Sequence, residues 1–94
     1  MGEERARLHA RVNGLVQGVG FRYFVLEAAH RLGVSGWVRN LPDRQVEVVA
    51  EGERGRLEQL LATLSQGPPG ARVREVDSQW LSPRGEFQGF RITH

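Results

Sequence analysis

Residues 7–33, RLHARVNGLVQGVGFRYFVLEAAHRLG, decide the fold of this chain. Apolar and polar residues alternate over Arg7–Asn13, which predicts a half-buried strand. The glycine-rich run Gly14–Gly20 follows and predicts a loop. Apolar residues then recur at helical spacing over 21–32, and Gly33 stands where the C-cap glycine of a helix belongs. The stretch therefore predicts a strand, a loop and a helix in direct succession.

Downstream of this stretch, the sequence predicts a second helix and further strands. The helix ends at the Gly-Pro-Pro-Gly run of residues 67–70 and is predicted from leucines at helical spacing, namely Leu57, Leu60, Leu61 and Leu64. Two of the valines, Val73 and Val76, lie three residues apart, which breaks the strand period of two and predicts a bulge. The predicted strands are Ser35–Leu41, Gln45–Glu51, Ala71–Trp80 and a short Phe90–Ile92, with a turn at Pro42–Arg44.

The order of these elements predicts an α+β fold, the ferredoxin-like α/β sandwich. In a short chain, the order βαββαβ is typical of an antiparallel sheet with two helices on one face. Counted along the chain, the strands are expected to lie across the sheet in the order 4-1-3-2. We expect residues 1–94 to form a single domain, because 94 residues can bury one modest core.

The composition excludes several classes of chemistry. Cysteine is absent and all 13 basic residues are arginine, so there are no disulfides, thiol nucleophiles, Schiff bases or Walker-type lysines. The net charge is only +2, so the isoelectric point near 10.4 does not indicate nucleic-acid binding. No segment is apolar enough to span a membrane, and the charged N-terminus is not a signal peptide. We therefore expect a cytoplasmic protein.

The glycine-rich loop is the first candidate for a binding site. It leads into a helix N-terminus, where unpaired N–H groups and partial positive charge favour anions. Glycines allow successive N–H groups to surround one oxyanion, and Arg22 in the first helical turn could bind two phosphate oxygens. Many strand–helix connections carry glycines only to turn, so the loop alone leaves both interpretations open.

Residue types that are absent near the loop narrow the reaction. Residues 5–26 contain no Ser, Thr, Asp or Glu, so they offer no usual nucleophile for a phosphoenzyme and no carboxylate for magnesium. His9 is more readily interpreted as an exposed strand residue than as a nucleophile. Water would then attack phosphorus directly, and a leaving group that needs no proton, such as a carboxylate with a pKa of about 4, suits the site. This reasoning favours acyl phosphates over phosphate monoesters.

Asn40 is the second candidate, because an amide can both donate to and accept from a water molecule. It ends the second predicted strand, within the run Gly36–Asn40. The alternative is that Asn40 only shapes the turn before Pro42. The spacing leaves both interpretations open.

Two runs of the sequence resemble the acylphosphatase family. The run Val12–Arg22 resembles the first family signature at every constrained position, and Gly36–Asn40, followed by Val46 and Gly52, resembles the second. The order of strands and helices agrees with the family over about residues 7–92. The resemblance implies a ferredoxin-like fold and an acylphosphatase that hydrolyses acyl phosphates to a carboxylate and inorganic phosphate, without a metal, another cofactor or a phosphoenzyme.

The resemblance also implies roles for individual residues. The asparagine that corresponds to Asn40 orients the attacking water in the family, and a phosphate oxygen of the substrate is thought to accept the proton of that water. Inorganic phosphate or sulfate is expected to compete with the substrate, and we expect a monomer with no nucleic-acid partner. The resemblance implies that phosphate is bound by backbone amides of the loop and by the side chain of Arg22. The loop residues are Gln17, Gly18, Val19, Gly20, Phe21 and Arg22.

One departure and two alternatives remain. The second family signature carries glycine where this chain has Arg44, so a turn that requires positive φ would be strained or remodelled. A non-catalytic RNA- or anion-binding module is the alternative function, with Trp37 on the open face of the sheet as a base-stacking residue. Acylphosphatase-like domains also occur inside larger carbamoyl-handling enzymes, but the sequence favours a free-standing hydrolase.

Overall fold

The structure is a computed structural model that describes residues 4–94. Most elements begin and end within three residues of their predicted bounds, and the second helix also covers the three residues before its first leucine. The elements, in chain order, are β1 (Arg5–Leu15), α1 (Phe21–Leu32), β2 (Ser35–Asn40), β3 (Val46–Glu53), α2 (Arg54–Gln66), β4 (Arg72–Leu81) and β5 (Phe90–Ile92).

The sheet has the strand order β4-β1-β3-β2-β5, which confirms the predicted order of the first four strands. These four strands are antiparallel to their neighbours, but β5 pairs with β2 in parallel. The antiparallel sheet predicted for the four main strands is therefore confirmed, and the short fifth strand, whose place the sequence did not predict, makes the sheet mixed. The physical reason is the path of the chain, because β4 and β5 lie at opposite edges and residues 82–89 cross the sheet between them.

The core lies between the two helices and one face of the sheet, as the alternating pattern predicted. The inward residues of β1 and β3 are fully buried against leucines of α2 and the first turn of α1. This packing places the start of α1 at the end of β1, directly beside the loop that joins them. The largest fully buried side chains include Phe21, Leu8, Leu57, Leu60 and Leu64.

The opposite face of the sheet carries charged residues and is crossed by residues 82–89. The carboxylate of Glu51 is 2% exposed and accepts hydrogen bonds from Arg7 Nη1 at 2.8 Å and from the N–H groups of Arg84 and Gly85. Burial alone would raise the pKa of Glu51, but these three donors lower it below its usual range. Glu51 therefore fixes the crossing segment to the sheet.

The predicted bulge in β4 is confirmed and lies next to the glycine-rich loop. The register of β1 against β4 shifts after Asn13, which leaves Arg74 of β4 as the extra residue. At the next position of β1, Gly14 has φ 135°, and a Cβ there would overlap the carbonyl oxygen of Arg72. Glycine is therefore required where the chain leaves the sheet and enters the loop.

No helix within residues 4–94 combines the length and the apolar character that crossing a membrane requires.

Candidate active site

The loop between β1 and α1 presents a row of unpaired backbone donors. Gly18 and Gly20 both have φ 76°, and Gly20 is the N-cap of α1 without any side chain that caps the helix. Within residues 4–94, no N–H of residues 17–23 donates a hydrogen bond, and the first bond into the helix runs from Phe24 N to Gly20 O at 3.0 Å. Such a row of N–H groups at a helix N-terminus forms a nest for an anion.

The side chain of Gln17 holds this loop against the turn between β2 and β3. Its Nε2 donates to the carbonyl oxygens of Leu41 and Gln45, each at 2.9 Å. The sequence assigned Gln17 to the phosphate loop, and the structure leaves only its backbone N–H free for that role. The side chain instead fixes the position of the loop relative to the end of β2, where Asn40 lies.

Arg22 and Asn40 line one cavity of about 240 Å³ at the start of α1. They are 18 positions apart in sequence but meet because Asn40 ends β2 and Arg22 lies in the first turn of α1. In the described part of the chain, Arg22 forms no salt bridge with an acidic residue. The other lining residues are Val16, Gly18, Gly20, Phe21 and Tyr23.

The amide of Asn40 carries an unsatisfied acceptor. Its Oδ1 is buried and has no hydrogen-bond partner within residues 4–94. An unpaired buried acceptor costs about 1–3 kcal/mol. Rotation of the amide by 180° exchanges Oδ1 and Nδ2 without changing the shape of the side chain, so either atom can face the cavity. As it stands, the buried Oδ1 is closed to an entering donor, and the rotated amide would place the oxygen where Nδ2 now lies.

The side chains of the remaining predicted loop residues point elsewhere or are small. Phe21 lines the cavity although its side chain is 1% exposed and packs in the core, whereas Val19 is packed against the core and does not line the cavity. Tyr23 lines the cavity and is 67% exposed, and the sequence analysis did not single it out. Its position next to Arg22 in the first helical turn is the sequence feature that could have identified Tyr23 as a cavity residue.

The surroundings of the cavity contain no acidic side chain, since its lining includes neither Asp nor Glu. Within residues 4–94, no three His, Asp or Glu side chains lie close enough together to hold a metal ion. His9 does not line the cavity, because its Nε2 lies 2.7 Å from Oε2 of Glu47 on the open sheet face. The structure therefore gives no support to His9 as a nucleophile at this site.

The turn at Pro42–Arg44 has the strained geometry that was one of the two outcomes expected from the sequence. Arg44 has φ 74°, and it is the only non-glycine residue of 4–94 with positive φ. A hydrogen bond from Arg44 N to Leu41 O at 3.1 Å closes the turn. The turn is thus not remodelled, and arginine occupies a left-handed conformation that costs about 1–2 kcal/mol for a residue with a Cβ.

Comparison with known proteins identifies the family. The model of the family described as acylphosphatase matches residues 8–92. The chain belongs to the acylphosphatase family. An acylphosphatase from Thermococcus kodakarensis is 51% identical over 89 residues, which cover 95% of this chain and 97% of that protein.

Solved acylphosphatase structures share the fold over nearly the whole chain. The crystal structure of an acylphosphatase from Bacillus subtilis matches with a TM-score of 0.91 at 32% identity, covering 95% of this chain and 99% of that one. An acylphosphatase from Coxiella burnetii matches with a TM-score of 0.89 at 38% identity, covering 95% of this chain and 93% of that one. The ferredoxin-like fold predicted from the sequence is therefore confirmed.

The open sheet face of this acylphosphatase does not resemble a base-stacking platform. Trp37 is the single aromatic residue of β1–β4 on that face near the centre of the sheet, and the guanidinium of Arg39 lies 5.0 Å from its ring centroid. Arg39 also pairs with Glu47, while Glu51 is occupied by Arg7. Arg7 and Arg39 on this face are thus already paired with carboxylates, which disfavours the RNA-binding alternative.

Proposed function

We propose that this chain hydrolyses acyl phosphates by in-line attack of a water molecule held by Asn40 on a phosphoryl group held by the loop and Arg22. Membership of the acylphosphatase family supports the reaction, which converts an acyl phosphate and water to a carboxylate and inorganic phosphate. The roles of the individual residues rest on the geometry of the cavity that joins Arg22, Asn40 and the loop.

The phosphoryl group binds to the unpaired N–H groups of the loop and to Arg22. The free N–H groups of residues 17–23 support this role, because they offer several donors to one group of equatorial oxygens. The guanidinium of Arg22 adds charge and a planar pair of donors for two of those oxygens. These contacts stabilise the charge that spreads over the phosphoryl oxygens in the transition state.

The nucleophile is a water molecule oriented by Asn40. The observation that carries this role is the position of Asn40, which lines the same cavity as Arg22 and whose amide can turn its oxygen towards that cavity. A water that donates to this amide is held while its lone pair faces phosphorus. Orientation of this kind converts an encounter in solution into an attack within one complex.

The bonds and protons balance without a general acid from the protein. The water oxygen forms a bond to phosphorus as the bond between phosphorus and the acyl oxygen breaks. The carboxylate departs with that electron pair and needs no proton, since its pKa is about 4. A phosphoryl oxygen of the substrate accepts the proton of the water. The lack of Asp and Glu in the cavity lining is compatible with this course.

The first test is hydrolysis of benzoyl phosphate in excess chelator, with inorganic phosphate and sulfate as competing anions. We expect turnover that needs no added metal and competitive inhibition by both anions. Activity that disappears with chelator and returns with magnesium would overturn the mechanism. We further propose that the active species is a monomer, since Arg22 and Asn40 meet at the cavity without a contribution from a second copy.

The second test compares two arginines on the same helix. Arg22→Lys should lose about a hundredfold in kcat/KM, because lysine provides a point charge and no planar contact with two oxygens. Arg31→Lys is the matched control, since the exposed Arg31 lies about 13 Å further along α1 and does not line the cavity of Arg22 and Asn40. Near-normal kcat/KM for Arg22→Lys would remove Arg22 from the phosphate site.

A further inference from the structure

Arg44 lies beside the loop, and nothing described above gives its side chain a role. The left-handed backbone at position 44 disfavours any residue with a Cβ, yet this chain carries an arginine there. Strain of this kind often accompanies function, but it does not establish one. The surroundings of the Arg44 side chain do suggest a role.

Arg44 and the loop line a second cavity of about 360 Å³. This cavity shares Val16 and Gly18 with the cavity that contains Arg22 and Asn40. The two cavities are therefore neighbours on the same loop. The rest of the lining of the second cavity is Gly14, Leu15 and Gln17. A substrate with its phosphoryl group at Arg22 could extend its acyl chain past Gly18 towards Arg44.

The position of Arg44 relative to the loop is fixed by hydrogen bonds to the residues on both sides of the turn that carries it. Gln17 Nε2 donates to the carbonyl oxygens of Leu41 and Gln45, which flank the turn, and Leu41 N donates to Gln45 O at 2.8 Å. The turn and the loop therefore move as one unit. A cation carried on this turn keeps its place with respect to the phosphate site.

The charges around Arg44 favour an anion. The exposed guanidinium of Arg44 has no salt bridge or side-chain hydrogen bond within residues 4–94. The nearest acid in sequence, Asp43, is occupied by the backbone N–H and Nε2 of Gln45, at 3.1 and 2.7 Å. On the other side of Leu15, Arg72 and Arg74 line an adjoining cavity of about 360 Å³. The linings of these two cavities thus contain three arginines and no acidic residue.

We propose that Arg44 is a specificity-determining residue that favours acyl phosphates whose acyl group carries a second oxyanion, either a carboxylate or a phosphonate. The inference rests on the proposed function, because it requires the phosphoryl group to lie at Arg22. Arg44 binds the second anion equally in the ground state and the transition state, so its effect falls on KM rather than on kcat.

The experiment uses acyl phosphates of matched chain length. Butyryl phosphate has an uncharged four-carbon acyl group. In succinyl phosphate a carboxylate replaces the terminal methyl group, and in 3-phosphonopropanoyl phosphate a phosphonate replaces it. The quantity measured is the ratio of kcat/KM for each substrate with a second anionic group to kcat/KM for butyryl phosphate. The two ratios separate a preference for carboxylate from a preference for phosphonate.

We expect Arg44→Gly to lower at least one of these ratios by about two- to fivefold, which is the range of an exposed charged contact. Arg44→Lys should retain part of the preference because it keeps the charge. Arg31→Gln removes the same charge at the far end of α1 and should leave both ratios unchanged. The preference of the unaltered chain should also weaken as salt rises towards about 1 M, where screening is strong.

The possible failures are distinguishable. If the unaltered chain hydrolyses all three substrates and Arg44→Gly leaves both ratios unchanged, the inference about Arg44 is overturned and the proposed function stands. An equal fall of both ratios in Arg31→Gln would also overturn it, because net charge would then explain the preference. If the unaltered chain hydrolyses none of the three, the proposed function is overturned. The inference about Arg44, which rests on that function, is then overturned as well.

Discussion

Replacing Gln17 by alanine removes the two hydrogen bonds that join the phosphate loop to the β2–β3 turn. Both run from Nε2, to Leu41 O and to Gln45 O, at 2.9 Å each. A typical hydrogen bond contributes about 0.5–1.5 kcal/mol net, so the pair should contribute about 2 kcal/mol to the free energy of unfolding. For a domain of this size, that loss lowers Tm by roughly 8–16 °C.

Gln17→Ala should also weaken phosphate binding, although the substituted side chain does not face the anion. The loop would no longer be fixed against the turn, so its N–H groups would lose part of their common orientation towards one oxyanion. The inhibition constant for inorganic phosphate should therefore rise, and saturating phosphate should raise Tm less than it does in the unaltered chain.

The assay is thermal unfolding followed by circular dichroism, with and without phosphate, together with phosphate inhibition of benzoyl phosphate hydrolysis. Gln59→Ala is the control, because Gln59 is an exposed glutamine of α2 whose side chain makes no hydrogen bond within residues 4–94. A Gln17→Ala variant with the Tm and the phosphate inhibition constant of the unaltered chain would refute the reasoning.

Two further predictions concern stability. Arg44→Gly should raise Tm by about 2–8 °C. The free energy gained by relief of the left-handed strain exceeds the cost of the added entropy of the unfolded chain by about 0.5–1 kcal/mol. An unchanged or lower Tm in a thermal scan would contradict this prediction. Since the pKa of Glu51 is lowered in the folded state, its contribution is present above the usual glutamate pKa of about 4.3 and is lost as pH falls through the folded value. Denaturant unfolding of Glu51→Gln across pH 2–7 should therefore show a smaller loss of stability on acidification than the unaltered chain, and an equal loss would contradict the account.

The sequence predicted most of the fold because most of its strands and helices carry a clear hydrophobic period. The alternation in β1 and the leucines of α2 identify the face of each element that is buried. The parallel pairing of β5 was not predictable, since a three-residue strand has no pattern that fixes its direction or its edge. Its place depends on the crossing segment, which is held by a contact from Glu51 to residues more than 30 positions away.

The candidate site divides in the same manner. Arg22 and the glycines were recognisable as one candidate site because they follow one another in the chain, whereas the strand position of Asn40 left its role open until the resemblance to the family was added. The role of the Gln17 side chain was not, because it joins residues 24 and 28 positions apart that only the folded sheet brings together. The strain at Arg44 was foreseen from the glycine that the family has there, but its place beside the loop required the structure.

The central claim is that Asn40 holds the attacking water while the loop and Arg22 hold the phosphoryl group. It is tested most directly by measuring kcat and the inhibition constant for inorganic phosphate on one preparation of folded Asn40→Ala, with Tm as the check on folding. The account predicts that kcat falls by about 10²–10³ while phosphate inhibition is preserved, because the proposal assigns Asn40 to the water and not to the anion. A folded Asn40→Ala variant with full kcat would contradict it.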